Sequence, residues 1–135
     1  MTTVFADSFY FLAVLNRCDQ HHQRAQDYAA RQDLSVVTTR AVLLEVGDAF
    51  ADSATRTAAA GFLKRLERNP GTEIVALDDD LYARGLALYR DRPDKEWGLT
   101  DCISFVVMKD RGITEALTGD RHFAQAGFVP LLAQS

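Results

Sequence analysis

Five short apolar runs constrain this chain more than any other feature: residues 3–6, 34–38, 73–77, 115–118 and 128–132, each separated from the next by a stretch of helical periodicity. Runs that are apolar throughout, without polar alternation, cannot face water on either side. They read as strands of a parallel sheet whose two faces are covered by the intervening helices. The expected fold is therefore a three-layer α/β/α sandwich with a short, mainly parallel central sheet. The 135 residues suit a single domain over 1–135, and Pro130 marks the last strand as an edge.

In such a sheet the right-handed crossovers bring every strand's carboxyl end to one side, and ligands bind there where the strand order reverses. Asp7 ends the first run, and Asp120 follows the fourth across Gly119. Thr100 and Asp101 fall in the first turn of the most apolar helix, where Ile103, Val106 and Val107 repeat at buried-stripe spacing. One of the two is expected to cap that helix.

Glu45 sits on a helix over 40–52, at the border between the Leu43, Val46, Phe50 face and the Val42, Ala49 face. Asp48 and Asp52 continue from it at i+3 and i+7, so a solvated acidic edge accounts for Glu45 equally well. Further helices are expected over 8–15, from an Asp19 cap through Arg31, over 53–69, and after Asp78-Asp79-Asp80, a triplet that reads as a cap with dipole-complementing neighbours. His21 and His22 point about 100° apart on a helix, cannot share an ion, and read as surface residues. Cys18 and Cys102 match no metal or redox spacing and read as reduced, semi-buried packing residues.

If Asp7, Glu45, Asp101 and Asp120 converge, their mutual repulsion raises their pKa values and destabilises the fold unless cations compensate. Oxygen donors without Cys or His suit Mg2+ or Mn2+. Carboxylate-only sites of this type serve phosphoryl chemistry, in which the ion activates a water. A net charge of −4 argues against a broad basic nucleic-acid grip, but bound cations reverse the local potential and admit a phosphodiester. The longest apolar runs fall short of the roughly 18 residues a membrane span needs, and no basic-then-apolar leader opens the chain, so a cytoplasmic location is expected.

Four segments, in order and spacing, resemble the PIN-domain ribonucleases, and within them the VapC-type toxins: Val4-Phe5-Ala6-Asp7-Ser8, Leu43-Leu44-Glu45-Val46, Gly98-Leu99-Thr100-Asp101-Cys102-Ile103-Ser104-Phe105, and Leu117-Thr118-Gly119-Asp120-Arg121-His122-Phe123. The resemblance implies Mg2+- or Mn2+-dependent hydrolysis of RNA, with Asp7, Glu45, Asp101 and Asp120 as catalytic metal ligands and a 5′-phosphate product. It further implies that Thr100, Thr118 and Ser8 orient acids or waters, that Asp94 stands at a loop position often acidic in relatives, and that the protein pairs with a small antitoxin and forms a homodimer. Arg121, His122 and Lys95 flank the acids and are weighed as phosphate contacts against ordinary solvated charge.

Competing readings fail on particular residues. A haloacid-dehalogenase-like phosphatase needs an acid where Phe9 stands, and a dinucleotide-binding domain needs a glycine-rich turn after the first strand. A receiver domain needs an acidic pair there and a late lysine near the site. An inert RNA- or protein-binding module of the same fold is the remaining alternative, against which stands the complete acidic quartet.

Overall fold

The computed structural model describes residues 1–133. Its sheet has the order β3-β2-β1-β4-β5, all pairs parallel, built from β1 (Thr2–Ala6), β2 (Leu34–Thr39), β3 (Thr72–Val75), β4 (Glu115–Leu117) and β5 (Val129–Pro130). The apolar runs form the strands because each is buried on both sides: Val4, Phe5 and Ala6 in β1, and Ala116 and Leu117 in β4, are at most 1% exposed. Pro130, which has no N–H to give a neighbour, lies in the edge strand β5 as expected.

The helices are α1 (Ser8–Leu15), α2 (His22–Ala29), α3 (Arg40–Ala49), α4 (Arg56–Arg68), α5 (Asp79–Asp91), α6 (Leu99–Asp110) and α7 (Arg121–Gln125). Right-handed crossovers from β1 to β2 to β3 set α1–α4 on one face, and the reversed direction from β3 to β4 to β5 sets α5–α7 on the other. Packing follows this division. Phe11 of α1 meets Phe62 of α4 edge-on at 5.9 Å, while Phe5 turns to the opposite layer, 6.4 Å from Phe123 of α7, which itself meets Phe105 of α6 at 5.0 Å. Strand order reverses between β1 and β4, so the two helical layers approach each other over the carboxyl ends of those strands.

Several expected boundaries move, each for a local reason. The helix expected over 40–52 stops at Ala49 and the one over 53–69 starts at Arg56. Between them the Asp52 carboxylate accepts the Ala54 N–H and the Thr55 hydroxyl donates to the Phe50 or Asp52 carbonyl, side-chain turn chemistry that outcompetes the helix. Asp19 does not start α2; it accepts the His21 N–H at 2.7 Å in a turn, and α2 opens at His22.

Of the pair Thr38-Thr39, the second alone caps α3, accepting the Val42 N–H, while the buried Thr38 hydroxyl donates to the Ala6 carbonyl at 2.7 Å and ties β2 to the end of β1. The expected cap of α6 is also corrected: Gly98, not Thr100 or Asp101, holds that position. Strand β3 starts one residue before the run 73–77 and stops two short of its end, and β5 occupies only the second and third residues of 128–132. His21 and His22 are half-buried rather than on the surface, and Cys18 is exposed whereas Cys102 is fully buried, both as free thiols.

Candidate metal centre

The end of β1 and the end of β4 meet through one hydroxyl. Thr118, fully buried just beyond β4, donates to Asp7 Oδ2 at 2.9 Å and accepts the Asp120 N–H at 3.1 Å. Gly119, between them, is flush against Phe9 of α1: a Cβ there would lie 2.4 Å from the ring's Cζ. Only a residue without a side chain lets the β4–α7 turn approach α1 this closely.

Asp120 then caps α7, its carboxylate accepting the His122 N–H at 2.9 Å. This turn aims the imidazole back over its own cap, with Nδ1 3.1 Å from Asp101 Oδ2 and 3.4 Å from Asp120 Oδ1. Asp101 is held from its own side as well. At the third position of α6, its Oδ2 accepts the Gly98 N–H at 3.2 Å, the reciprocal half of a capping box.

One ligand atom each from Asp101, Asp120 and His122 lies within 4.8 Å of the others, forming a tight set among the described residues. Asp7 and Glu45 do not join that set but bear on it electrically. Burial pushes the Asp7 carboxyl up to about 7, against the hydrogen bond from Thr118, and the charges of Asp101 and Glu45 add to the rise. Burial of the Asp101 carboxylate raises its pKa too, opposed by His122 and the Gly98 N–H and reinforced by Asp120. Glu45 is an exposed residue, yet partial desolvation of its carboxylate is the first cause of its raised pKa. The hydroxyls of Ser8 and Thr100 work against that rise, and the Asp101 and Asp120 charges add to it. Glu45 from the α1–α4 layer thus faces Asp101 and Asp120 from the other.

The structure therefore brings Asp7, Glu45, Asp101 and Asp120 to one edge, with Ser8, Thr100 and Thr118 beside them. Asp94 does not join: it is exposed and held by Arg92 through two 2.9 Å hydrogen bonds, which keep its carboxyl down at about 2. Arg121 is exposed beside the cup, and Lys95 stands 6.0 Å over the Trp97 ring. His122, weighed between a phosphate contact and ordinary solvated charge, instead faces the carboxylates. The Asp-x-His spacing at a helix start carried the signal, because a capping carboxylate and the residue two ahead share one turn.

As a donor set, three carboxylates whose pKa values are raised first by burial and further by one another's charge fit a hard divalent cation. The model of the PIN domain matches residues 4–129 of the chain. The 23S rRNA-specific endonuclease VapC20 of Mycobacterium tuberculosis is 30% identical over 127 residues, covering 93% of this chain and 95% of the relative. Among solved structures, the sarcin-ricin loop cleaving toxin VapC20 of the same organism superposes with a TM-score of 0.83 at 24% identity, over 93% of this chain and 96% of that one. FitAcB from Neisseria gonorrhoeae superposes with a TM-score of 0.63 at 17% identity, over 94% of each.

Proposed function

The chain belongs to the PIN-domain family, and from that premise we propose that it is a metal-dependent endoribonuclease, the toxin of a type II toxin–antitoxin pair, acting as one PIN-like domain over 1–135. The observation that carries the reading is geometric: ligand atoms of Asp101, Asp120 and His122 lie within 4.8 Å of one another, and Thr118 ties the buried Asp7 to Asp120 at the same end of β1 and β4, an arrangement with a use when divalent cations fill it. Asp7, Glu45, Asp101 and Asp120 hold Mg2+ or Mn2+. The ion supplies charge neutralisation for the incoming phosphodiester and makes water a nucleophile near neutral pH.

The chain's own contribution is to fix these acids before substrate arrives. Thr118 orients Asp7 and, through the Asp120 N–H, sets its distance from Asp120. The Gly98 N–H fixes Asp101. Ser8, from the same layer, and Thr100, from the opposite one, offer hydroxyls to Glu45.

The 23S rRNA specificity of the relative VapC20 makes ribosomal RNA the first substrate to test, and cytoplasm the compartment where it is met. Among the described residues no helix is long and apolar enough to cross a membrane. A small antitoxin and a second copy of the chain are the expected protein partners. For the second copy, Tyr82, Leu86 and Tyr89 lie at i, i+4 and i+7 on α5 and are 45%, 42% and 50% exposed, an uncovered apolar stripe.

The test is incubation of purified protein with 23S rRNA in Mg2+ or Mn2+, with fragment ends mapped and Asp101→Asn run beside it. Defined fragments bearing 5′-phosphates, lost with EDTA and in the variant, are expected. RNA left intact under every divalent ion refutes the nuclease and returns the inert binding module, and RNA cut equally by Asp101→Asn removes that residue from the site.

A further inference from the structure

Resting on that reading of the site, we propose that His122 is itself a ligand of the cation through Nδ1, and that this nitrogen gives the centre a preference for Mn2+ over Mg2+. Two adjacent ligands of a six-coordinate ion bound at about 2.1 Å stand about 3.0 Å apart. The separations from Nδ1 to Asp101 Oδ2 and Asp120 Oδ1, 3.1 and 3.4 Å, are close to that edge length. Asp101, Asp120 and His122, all within 4.8 Å of one another, can thus converge on one ion that replaces the hydrogen bond now joining Nδ1 to Asp101 Oδ2, whereas Asp7 is turned toward the Thr118 hydroxyl.

The ring is placed for this purpose by the chain around it. Its side chain is 20% exposed, and the Asp120 cap at the start of α7 directs Nδ1 inward rather than toward solvent. The other two histidines serve differently: His22 Nδ1 pairs with the Ala13 carbonyl at 2.7 Å, and the His21 ring lies 4.9 Å from Phe9. Mg2+ takes oxygen ligands and keeps much of its water, while imidazole nitrogen raises affinity for first-row transition ions. A carboxylate-only centre has no such means of discrimination; one with His122 in it does.

The experiment uses the full chain stripped with EDTA and reloaded with Mn2+ alone. Pulsed electron paramagnetic resonance should show a 14N coupling from a directly bound imidazole, absent in both His122→Ala and His122→Gln, each first shown folded by metal-free thermal unfolding. Calorimetric titration should show Mn2+ affinity about tenfold or more weaker in the variants, since even outer partners of metal ligands are worth that much, with a smaller loss for Mg2+.

Bound Mn2+ without nitrogen coupling, a coupling that survives in both variants, or equal losses for the two ions would overturn the assignment and leave the nuclease reading standing. Tighter binding in the variants would overturn it too, showing His122 to be a counter-charge that the ion displaces. Failure of the unaltered chain to bind Mn2+ at all would overturn the metal centre together with it.

Discussion

Asp7→Asn separates the charge of the buried carboxylate from its shape. Asp7 is 4% exposed and its carboxyl is pushed up to about 7, first by burial. An unfolded Asp titrates near 3.9, so the folded state holds its proton more tightly. The stabilisation this represents is complete below about pH 4 and is lost as pH rises through about 7. A gap of about three pH units is about 4 kcal/mol in full, of which about 3 kcal/mol disappears between pH 5 and pH 8.

For a chain of this length the unfolding entropy converts that loss to a fall of about 10 °C in Tm. Asn keeps an acceptor for the Thr118 hydroxyl and cannot ionise. In EDTA the variant should therefore match the parent at about pH 4 and below, with its lead widening by about 10 °C between pH 5 and pH 8. The difference between the two curves isolates Asp7, because Glu45 and Asp101 titrate in both. Saturating Mn2+ should then raise the parent more than the variant, since a ligand of the native state alone stabilises by mass action. Parallel Tm-against-pH curves in EDTA would refute the premise that a desolvated charge at Asp7 opposes folding.

Other outcomes follow from single contacts. Thr118→Val leaves the Asp7 carboxylate and the Asp120 N–H without their shared partner, which should cost about 1–3 kcal/mol in chemical denaturation. It should also move the acid limb of the pH–rate profile for RNA cleavage upward, because that hydroxyl holds the Asp7 pKa down. Gly119→Ala drives a methyl into Phe9 and should lose about 1–3 kcal/mol, partly recovered in the double variant with Phe9→Leu; additive losses would show that the two do not touch. Asp94→Asn breaks an exposed pair with Arg92 and should leave cleavage undiminished, whereas a large loss would return Asp94 to the site.

The sheet was readable from sequence because unalternated apolar runs have one stable environment, between two helical layers. That Asp7 and Asp120 share an edge was readable for the same reason: the end of a strand fixes where its next residue goes. Boundaries were less so, because at Asp19, Asp52 and Thr55 a side chain bonds nearby backbone, and composition does not say which partner it takes.

The capping of α6 was misjudged on the same grounds. Gly98 has no acceptor to announce it as a cap, and Asp101 declares itself by reaching back to the Gly98 N–H. Glu45 is ambiguous in sequence because an exposed position on α3 also serves a partly desolvated carboxylate beside Asp101 and Asp120. The inward turn of His122 depends on the Asp120 rotamer, which periodicity does not encode.

The strand order has a consequence for how the chain is made. β1 waits for a neighbour, β4, that emerges more than a hundred residues later, and Thr118, Asp120 and His122 come after it. A polypeptide still on the ribosome therefore carries Asp7, Glu45 and Asp101 without the turn that closes around them. A copy that stops short of Thr118 lacks both the hydroxyl that holds Asp7 and the turn that sets Asp120 beside His122, so the carboxylates already made stay unassembled until that turn is added.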